Sequence, residues 1–347
     1  MFRDIPTQLI TGFLGAGKTT AIRHLLRQRP DGERWAVLVN EFGRIGVDGA
    51  LLDGEGVAIR EVAGGCICCV TSQAFSVGLG RLIREARPDR ILIEPSGLGH
   101  PRRLLEQLQA TPWRDVLDLR ATLTLVDARK LADSRYLEHP IFREQIELAD
   151  VLLGSKADRY GETEREALLA LAAKVEPPKA RVAFLEQGRV DPAWLDLPRD
   201  PRRCSPGTAA APSMVARPLI EHPGNEGLPP EQDADAAEWT LYEQRMEDYS
   251  ALGWRIGADW HFEDRNLREW LQALPMERVK GLLRTTSGGL LYNRSGGDER
   301  LEPRPAPAVS RLELIDRGRL PVEGLDREIR QWARRTTLPE EKANEMP

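Results

Sequence analysis

The chain lacks the features of a membrane or secreted protein. None of its apolar runs approaches the ~20 residues that a membrane-spanning helix needs. Its first residues, Met1-Phe2-Arg3-Asp4, lead directly into a predicted strand without the layout of a signal peptide. We therefore expect a cytoplasmic protein without a membrane partner.

Basic residues are not in excess, and lysine is scarce. The chain carries 49 Lys and Arg, of which only seven are Lys, against 54 Asp and Glu, and its formal net charge is −5. A general nucleic-acid-binding surface needs a clustered positive charge, which this balance does not provide. We expect no nucleic-acid partner, and composition leaves the oligomeric state open, a homodimer included.

Cysteine is also rare, but its distribution is uneven. Three of the four cysteines, Cys66, Cys68 and Cys69, fall within four positions, and Cys204 stands alone. In a reducing cytosol such a cluster favours metal or redox chemistry over disulfides. Thiolates bind Zn²⁺ in a tetrahedral set, and Glu41 or a water molecule is the candidate fourth ligand. A redox switch and three small buried side chains are the alternatives.

One stretch of the sequence predicts a phosphate-binding loop. Residues 12–20 read G-x-x-x-x-G-K-T-T, after an apolar run and before apolar residues at helical spacing. Glycines let backbone N–H groups curl around a polyphosphate, and the helix adds its positive end. The candidate nucleotide-binding residues here are Gly12, Gly15, Ala16, Gly17, Lys18, Thr19 and Thr20. Lys18 is expected to reach the outer phosphates, and Thr19 to offer its hydroxyl to Mg²⁺.

Apolar strands alternate with helical patterns as far as residue 185. Strands are predicted at residues 35–39, 90–94, 123–127, 151–155 and 181–185, with helices between them. This alternation predicts an α/β fold, a P-loop NTPase whose mainly parallel sheet is covered by helices on both faces.

Ligands bind such sheets at the carboxyl ends of the strands. Glu94 ends one strand, where P-loop proteins place an acid that holds Mg²⁺; an exposed carboxylate is the alternative. Asp127 ends another, where it supports the nucleotide or caps a turn.

The second half of the chain changes character. Eight prolines punctuate residues 197–237, and a shorter pattern of strands and helices follows. We therefore predict four parts: a nucleotide-binding domain at 1–195, a Pro-rich linker at 196–237, a smaller C-terminal α+β domain at 238–336 and a frayed tail at 337–347. A strand inside the linker is predicted near residues 214–220, and a strand of the C-terminal domain at residues 254–262.

These stretches together resemble the CobW-like family of P-loop GTPases, relatives of the urease and hydrogenase maturation GTPases. The resemblance rests on residues 12–20, 40–49, 64–69 and 91–97, and its most specific part is Gly64-Gly65-Cys66-Ile67-Cys68-Cys69. It implies a metal-binding GTPase that acts as a zinc or cobalt chaperone, or assists metalloenzyme or cobalamin cofactor assembly. The C-terminal residues 265–274 and 278–281 resemble that family's smaller domain.

The resemblance also assigns a guanine-reading segment. Ser155-Lys156-Ala157-Asp158 stands where the family carries N-K-x-D, so Asp158 is expected to accept two hydrogen bonds from guanine and Lys156 to lie along the base. Ser155 replaces the family's Asn, which predicts weaker selectivity for guanine. Arg44 replaces a second acid in the segment around Glu41, which predicts a weaker or different metal site, because a cation repels Zn²⁺.

These features lead to one functional expectation and one rival. The expectation is a slow GTPase with Lys18, Thr19 and Glu94 as catalytic residues, GTP or GDP and Mg²⁺ as cofactors, and Zn²⁺ or Co²⁺ as cargo for a client metalloprotein. The rival is a GTP-dependent assembly or insertion factor that does not itself carry metal. The five histidines are scattered, so a bulk metal store is not expected.

Overall fold

A computed structural model describes residues 2–40, 57–62, 72–204, 239–246 and 248–335. The chain divides into two compact units, Met1–Leu228 and Pro229–Pro347. No helix within the described residues has the length and hydropathy needed to cross a membrane.

The first unit contains an eight-stranded sheet. Its strands are β1 (Ile5–Gly12), β2 (Trp35–Asn40), β3 (Ala58–Val62), β4 (Arg90–Glu94), β5 (Leu117–Leu119), β6 (Leu123–Asp127), β7 (Val151–Ser155) and β8 (Arg181–Phe184). Their order is β3-β2-β4-β1-β6-β7-β8, and β5 pairs with the start of β1. All pairs are parallel. The strand of the predicted phosphate loop, β1, is therefore central.

Helices cover both faces of this sheet. They are α1 (Lys18–Arg27), α2 (Ser72–Ala86), α3 (Pro101–Gln109), α4 (Ser134–Leu137), α5 (Pro140–Leu148) and α6 (Glu162–Ala173). Successive residues of one strand point to opposite faces: on β1, Ile10 packs in the apolar cluster with α1, and Leu9 packs in the cluster with α2 and α3. The predicted α/β fold with a doubly covered parallel sheet is confirmed.

Strand register brings the predicted site residues to one edge. On the two sides of β1, Leu9 is paired with Ile93, and Gly12 with Leu125. Farther along the sheet, Asp127 is paired with Ser155. The last residues of β1, β4, β6 and β7 therefore lie at the carboxyl edge, where loops and helix ends meet.

The second unit is a mainly antiparallel sheet with two helices. Its elements are β9 (Trp239–Met246), β10 (Tyr249–Ile256), β11 (Trp260–Phe262), α7 (Asp264–Ala273), β12 (Arg278–Thr285), β13 (Gly288–Ser295), β14 (Asp298–Arg304), β15 (Ser310–Arg317), α8 (Val322–Trp332) and β16 (Ala333–Arg335). The order is β14-β13-β12-β15-β10-β9, and β11 pairs with β12 and β16. Residues of both helices share one apolar cluster with the strands. This unit has the α+β character predicted for the C-terminal part.

Carboxylates on the two helices tie them to the sheet. Asp326 of α8 accepts hydrogen bonds from the indole N–H groups of Trp239 and Trp254, at 3.1 and 2.9 Å. Asp264 of α7 accepts from the hydroxyls of Thr285 and Thr286, at 3.1 and 2.7 Å. Buried polar groups need such partners, so these contacts fix each helix on its strands.

The structure departs from the predicted elements in several places. The strand expected over residues 254–262 is two strands, because the chain turns between Ile256 and Trp260, whose N–H donates to the carbonyl of Gly257 at 3.1 Å. The periodicity gave no sign of β3, β5, β9 and β14; β14 carries charges and a proline, as edge strands do. The strand predicted near residues 214–220 and the tail at 337–347 lie outside the described residues.

Candidate nucleotide-binding site

The loop between β1 and α1 has the backbone that its glycines predict. Gly12 has φ 144°, and a Cβ there would lie 2.4 Å from the carbonyl oxygen of Leu125. Gly17 precedes the helix with φ 92°, in the left-handed region that side chains with a Cβ rarely adopt. Both positions require glycine, one for close packing and one for conformation. The chain therefore turns sharply and directs the N-terminus of α1 towards the loop.

Lys18 is held inside this loop. Its side chain is buried, with a relative exposure of 6 % for the residue. The Nζ donates to the carbonyl oxygens of Gly12 at 2.9 Å and Phe13 at 3.4 Å. A fixed ammonium beside a helix N-terminus is a strong attractor for phosphate oxygens.

Thr19 and Glu94 meet at the carboxyl edge of the sheet. The Thr19 hydroxyl donates to Glu94 Oε1 at 2.9 Å, and Glu94 is buried at 3 % exposure. Mg²⁺ prefers oxygen ligands and is usually held by few protein groups together with phosphates and water. This pair of a hydroxyl and a buried carboxylate therefore fits Mg²⁺, which Thr19 would bind with Glu94 as its support.

The segment after β4 packs directly on the phosphate loop. A Cβ at Gly97 would lie 2.9 Å from the backbone nitrogen of Leu14, so only glycine allows this approach. From the other side, the buried amide of Gln145 on α5 donates to the carbonyl of Gly97 at 3.0 Å. Next to it, Glu144 contacts His100, with 3.1 Å between Oε2 and Nδ1. Gln145 was not predicted from the sequence, because an internal glutamine in a helix carries no motif.

Phe13, at one of the unspecified positions of the G-x-x-x-x-G-K-T motif, anchors the phosphate loop in an aromatic cluster. Its ring makes edge-to-face contacts with the rings of Tyr136, His139 and Phe142, with centroid distances of 5.6, 4.9 and 5.9 Å. Such aromatic pairs contribute beyond simple burial. Helices α4 and α5 therefore hold the phosphate loop, and α5 also holds the segment after β4.

The predicted base-reading residues lie in a tight turn after β7. Lys156 has a left-handed backbone, φ 59°, and precedes the 3-10 turn Ala157–Arg159. Asp158 is exposed, and its Oδ2 lies 3.8 Å from Nε of Arg159. Ser155 is buried at 3 %, and its hydroxyl makes no hydrogen bond to any described residue. The position where the family carries Asn thus holds a small side chain that does not brace this turn.

Asp127 joins this turn to β6. Its Oδ2 lies 3.1 Å from Lys156 Nζ and 2.6 Å from Arg129 Nη2. Burial raises the pKa of Asp127, but the Arg129 hydrogen bond and the Lys156 charge outweigh it and bring the pKa below its ordinary value. Asp127 also accepts from the N–H of Arg129 as a cap, so the capping interpretation is confirmed, and the support of the nucleotide stays a prediction.

The loop after β8 connects the turn to the phosphate loop. Leu185 accepts from the N–H of Ala157 at 2.9 Å. Gln187 and Gly188 follow, both with positive φ. A Cβ at Gly188 would lie 2.9 Å from Cγ2 of Thr20, so this loop lies against the first turn of α1. This contact was not predicted from the sequence, although Gln-Gly after a strand is a turn signal.

The predicted metal ligands Cys66, Cys68, Cys69 and Glu41, together with Arg44, lie outside the described residues. Within the described ranges, no group of three or more His, Cys, Asp or Glu side chains is arranged to hold a metal ion. The metal site therefore stays a prediction from the sequence.

A glycine-rich loop between a central parallel strand and a helix, with a lysine inside it and a buried acid on the neighbouring strand, defines a P-loop nucleotide-binding domain. A family model described as "CobW/HypB/UreG, nucleotide-binding domain" matches residues 6–183. The chain belongs to this family of P-loop GTPases, as the sequence predicted.

Relatives cover both units. The zinc chaperone YeiR of Escherichia coli K12 is 41% identical over 310 residues, which are 89% of this chain and 92% of that protein. The zinc chaperone CobW of a Sinorhizobium species is 37% identical over 182 residues, 44% of this chain and 51% of that protein. Zinc-bound YjiA GTPase from E. coli is 20% identical, with 95% of this chain and 99% of that chain covered and a TM-score of 0.41. The family assignment rests on the sequence matches.

Proposed function

We propose that this chain is a GTPase that couples its nucleotide state to binding and delivery of a transition metal, most directly Zn²⁺, to a client metalloprotein. One observation carries the nucleotide half of the proposal: the Thr19–Glu94 pair lies beside a phosphate loop that holds Lys18 inside it. The metal half is supported by the cysteine cluster in the sequence and by a relative of nearly the same length that is named a zinc chaperone.

The chemistry at the phosphate is electrostatic. Lys18 and the backbone N–H groups of residues 12–20 neutralise charge that develops on the transferred phosphoryl group. Mg²⁺, when bound by Thr19 with Glu94 behind it, neutralises further charge on the phosphate oxygens. Among the described residues we assign no general base, and P-loop GTPases without an assisting residue or partner are slow. Low turnover in the isolated protein follows.

Base recognition falls to the turn after β7. Asp158 is exposed and lies in a turn that is tied to the first turn of α1 through the loop around Gly188. Its carboxylate accepts hydrogen bonds from the guanine N1–H and amino group, a pair of donors that adenine does not offer. The stem of Lys156 packs along the base. Because Ser155 does not brace the turn, selectivity for guanine is modest.

Metal binding is assigned to Cys66, Cys68 and Cys69, with Glu41 completing the ligand set. Glu41 directly follows β2, which is next to β4 and Glu94 in the sheet. If the γ-phosphate orders the segment around Glu41, then a metal ligand moves with the nucleotide state. Linkage requires that Zn²⁺ change GTP affinity by the same factor as GTP changes Zn²⁺ affinity.

The test is a zinc titration in two nucleotide states. Zn²⁺ affinity is measured by competition with a chromophoric chelator, with GDP and with a non-hydrolysable GTP analogue. We expect a difference of roughly 5- to 150-fold, the range of typical couplings. Cys66→Ser and Cys68→Ser should abolish tight binding, and Glu41→Ala should bind weakly without nucleotide dependence. Cys204→Ser, which alters the cysteine outside the cluster, is the matched control and should behave as the unmutated protein.

Two outcomes contradict the proposal in different ways. Equal zinc affinity in both states means that nucleotide and metal are not coupled, and the chaperone mechanism fails. Absence of tight zinc binding in every state leaves the rival reading, a GTP-dependent assembly factor that carries no metal.

A further inference from the structure

Asp127 makes an ion pair that its local sequence does not require. It ends β6, and the same Oδ2 atom that accepts from Arg129 Nη2 at 2.6 Å lies 3.1 Å from Lys156 Nζ. Lys156 directly follows β7, the strand paired with β6, and lies 29 positions later in the sequence. The carboxylate therefore connects a turn after β6 with the turn that carries Asp158.

Two other Asp-x-Arg pairs show what the local motif does alone. Arg135 donates its N–H to Asp133 at 3.0 Å and its Nη2 at 2.5 Å, and Arg202 makes the corresponding contacts with Asp200 at 3.0 and 2.7 Å. The side chains of Asp133 and Asp200 are 28 % and 21 % exposed, against 4 % for Asp127. At Asp133 and Asp200 the motif forms without deep burial, so capping the turn does not explain why Asp127 is buried against Lys156.

The backbone of Lys156 points to the same conclusion. Its φ of 59° and ψ of 36° place a residue with a long side chain in the left-handed region, which is unfavourable unless the surroundings compensate. The ion pair with Asp127 is a compensating contact, because a buried carboxylate next to two cations is held firmly by both. A strained backbone persists where surrounding contacts hold it, and the contact with Asp127 holds the Lys156 side chain in one direction.

We propose that Asp127 is a positioning residue for base recognition: it fixes the ammonium of Lys156, so that the lysine stem and the Asp158 turn are preorganised for the purine. The inference rests on the proposed role of Lys156 and Asp158 in nucleotide binding. A preformed site binds more tightly because less ordering remains to be done on binding.

A double-mutant cycle separates positioning from simple capping. The variants are Asp127→Asn, Lys156→Ala and the two combined, and the readouts are GDP and ADP affinity by titration calorimetry. Asp127→Asn keeps the shape and the hydrogen bond from the Arg129 N–H but removes the charge that holds Lys156. We expect it to weaken GDP binding by roughly 5- to 50-fold, in the range for residues in contact. In the Lys156→Ala background the same change should cost less than about twofold.

The matched control is Asp200→Asn, which alters the same Asp-x-Arg motif at a side chain that accepts hydrogen bonds from Arg202. It should leave GDP affinity within about twofold of the unmutated value. Melting of the nucleotide-free proteins reports folding separately. If Asp127→Asn does not fold, Lys156→Met removes the same ion pair from the lysine side and keeps an apolar stem; it should weaken GDP binding as well, and normal GDP binding by Lys156→Met would overturn the positioning role.

The outcomes are distinguishable. If the effect of Asp127→Asn is undiminished in the Lys156→Ala background, or if the single variant binds GDP normally, the positioning role is overturned while the proposed function stands. If Lys156→Ala itself binds GDP and ADP as the unmutated protein does, the base-reading turn is wrongly assigned, and the inference falls with it.

Discussion

Thr19 and Glu94 lie 75 positions apart in the chain, yet the threonine hydroxyl donates to Glu94 Oε1 at 2.9 Å. The contact exists because β1 and β4 are neighbours in the sheet, so that α1 starts beside the end of β4. The first prediction is that Glu94→Gln lowers turnover and weakens the response to Mg²⁺ by about 10- to 100-fold, as loss of supporting groups at metal sites does. The measurement is GTP hydrolysis over a Mg²⁺ titration.

The matched control for Glu94 is Glu85→Gln, which alters an exposed acid paired with Arg60. It should leave the Mg²⁺ titration unchanged. A Glu94→Gln protein whose rate and Mg²⁺ response match those of the unmutated chain would show that this acid does not support the metal.

The second prediction is that Lys18→Ala abolishes hydrolysis and severely weakens nucleotide binding while the fold is kept. Lys18 is the cation held inside the phosphate loop, and a neutral side chain leaves phosphate charge poorly compensated. Hydrolysis and GDP titration measure the effect, with circular dichroism as the check on folding. Lys174→Ala, at the exposed end of α6, is the control. Near-normal turnover of Lys18→Ala would remove the assignment of the loop.

The third prediction concerns selectivity between guanine and adenine. Asp158→Ala should lose the preference for GDP over ADP, by about 10- to 100-fold in the affinity ratio, because hydrogen bonds to a charged group are worth about 1.5–3 kcal/mol. Ser155→Asn should tighten GDP binding, since an amide restores the bracing that the serine hydroxyl does not supply. Asp115→Ala, an exposed acid, is the control. Equal affinity of the unmutated protein for GDP and ADP contradicts the guanine assignment.

The fourth prediction is a pH dependence of stability that arises from Lys179. Burial, assisted by the charge of Arg203, lowers the pKa of Lys179 to about 7. In the unfolded chain the pKa is near its ordinary 10.5, so between these values the unfolded state binds more protons. Stability therefore rises with pH from about 7 to 10.5, by at most about 1.4 kcal/mol per pH unit for one group.

The measurement compares unfolding by urea at pH 7, 8 and 9 with a chelator present. The difference between the unmutated protein and Lys179→Met isolates the contribution of this lysine, and that difference should grow with pH. Lys174 is exposed, so Lys174→Met should show the same pH dependence of stability as the unmutated protein. If Lys179→Met also shows the pH dependence of the unmutated protein, the pKa of Lys179 is not lowered in the folded state.

Patterns that depend on neighbours in the sequence were readable without the structure. The glycines of residues 12–20 can serve little else than a tight phosphate loop, and strands such as Arg90–Glu94 and Leu123–Asp127 are apolar runs because both their faces are buried. The family, the fold class of both units and the order of most elements in the nucleotide-binding part, though not β3 and β5, follow from such local signals. Edge strands such as Asp298–Arg304 lack a clear hydrophobic pattern in the sequence, because one side of them faces solvent and charges are tolerated there.

Pairings between distant residues were decided by the tertiary structure alone. Gln145 donates to Gly97, and Asp127 holds Lys156, only because α5 packs beside the segment after β4 and because β6 pairs with β7. A glutamine inside a helix or an aspartate after a strand looks the same in the sequence whether or not it meets such a partner. By itself the sequence determined which chemistry the chain carries, since residue types and short spacings specify phosphate and metal ligands. Strand order and helix packing decided which side chains hold those groups in place, because contacts across a sheet depend on register rather than on spacing along the chain.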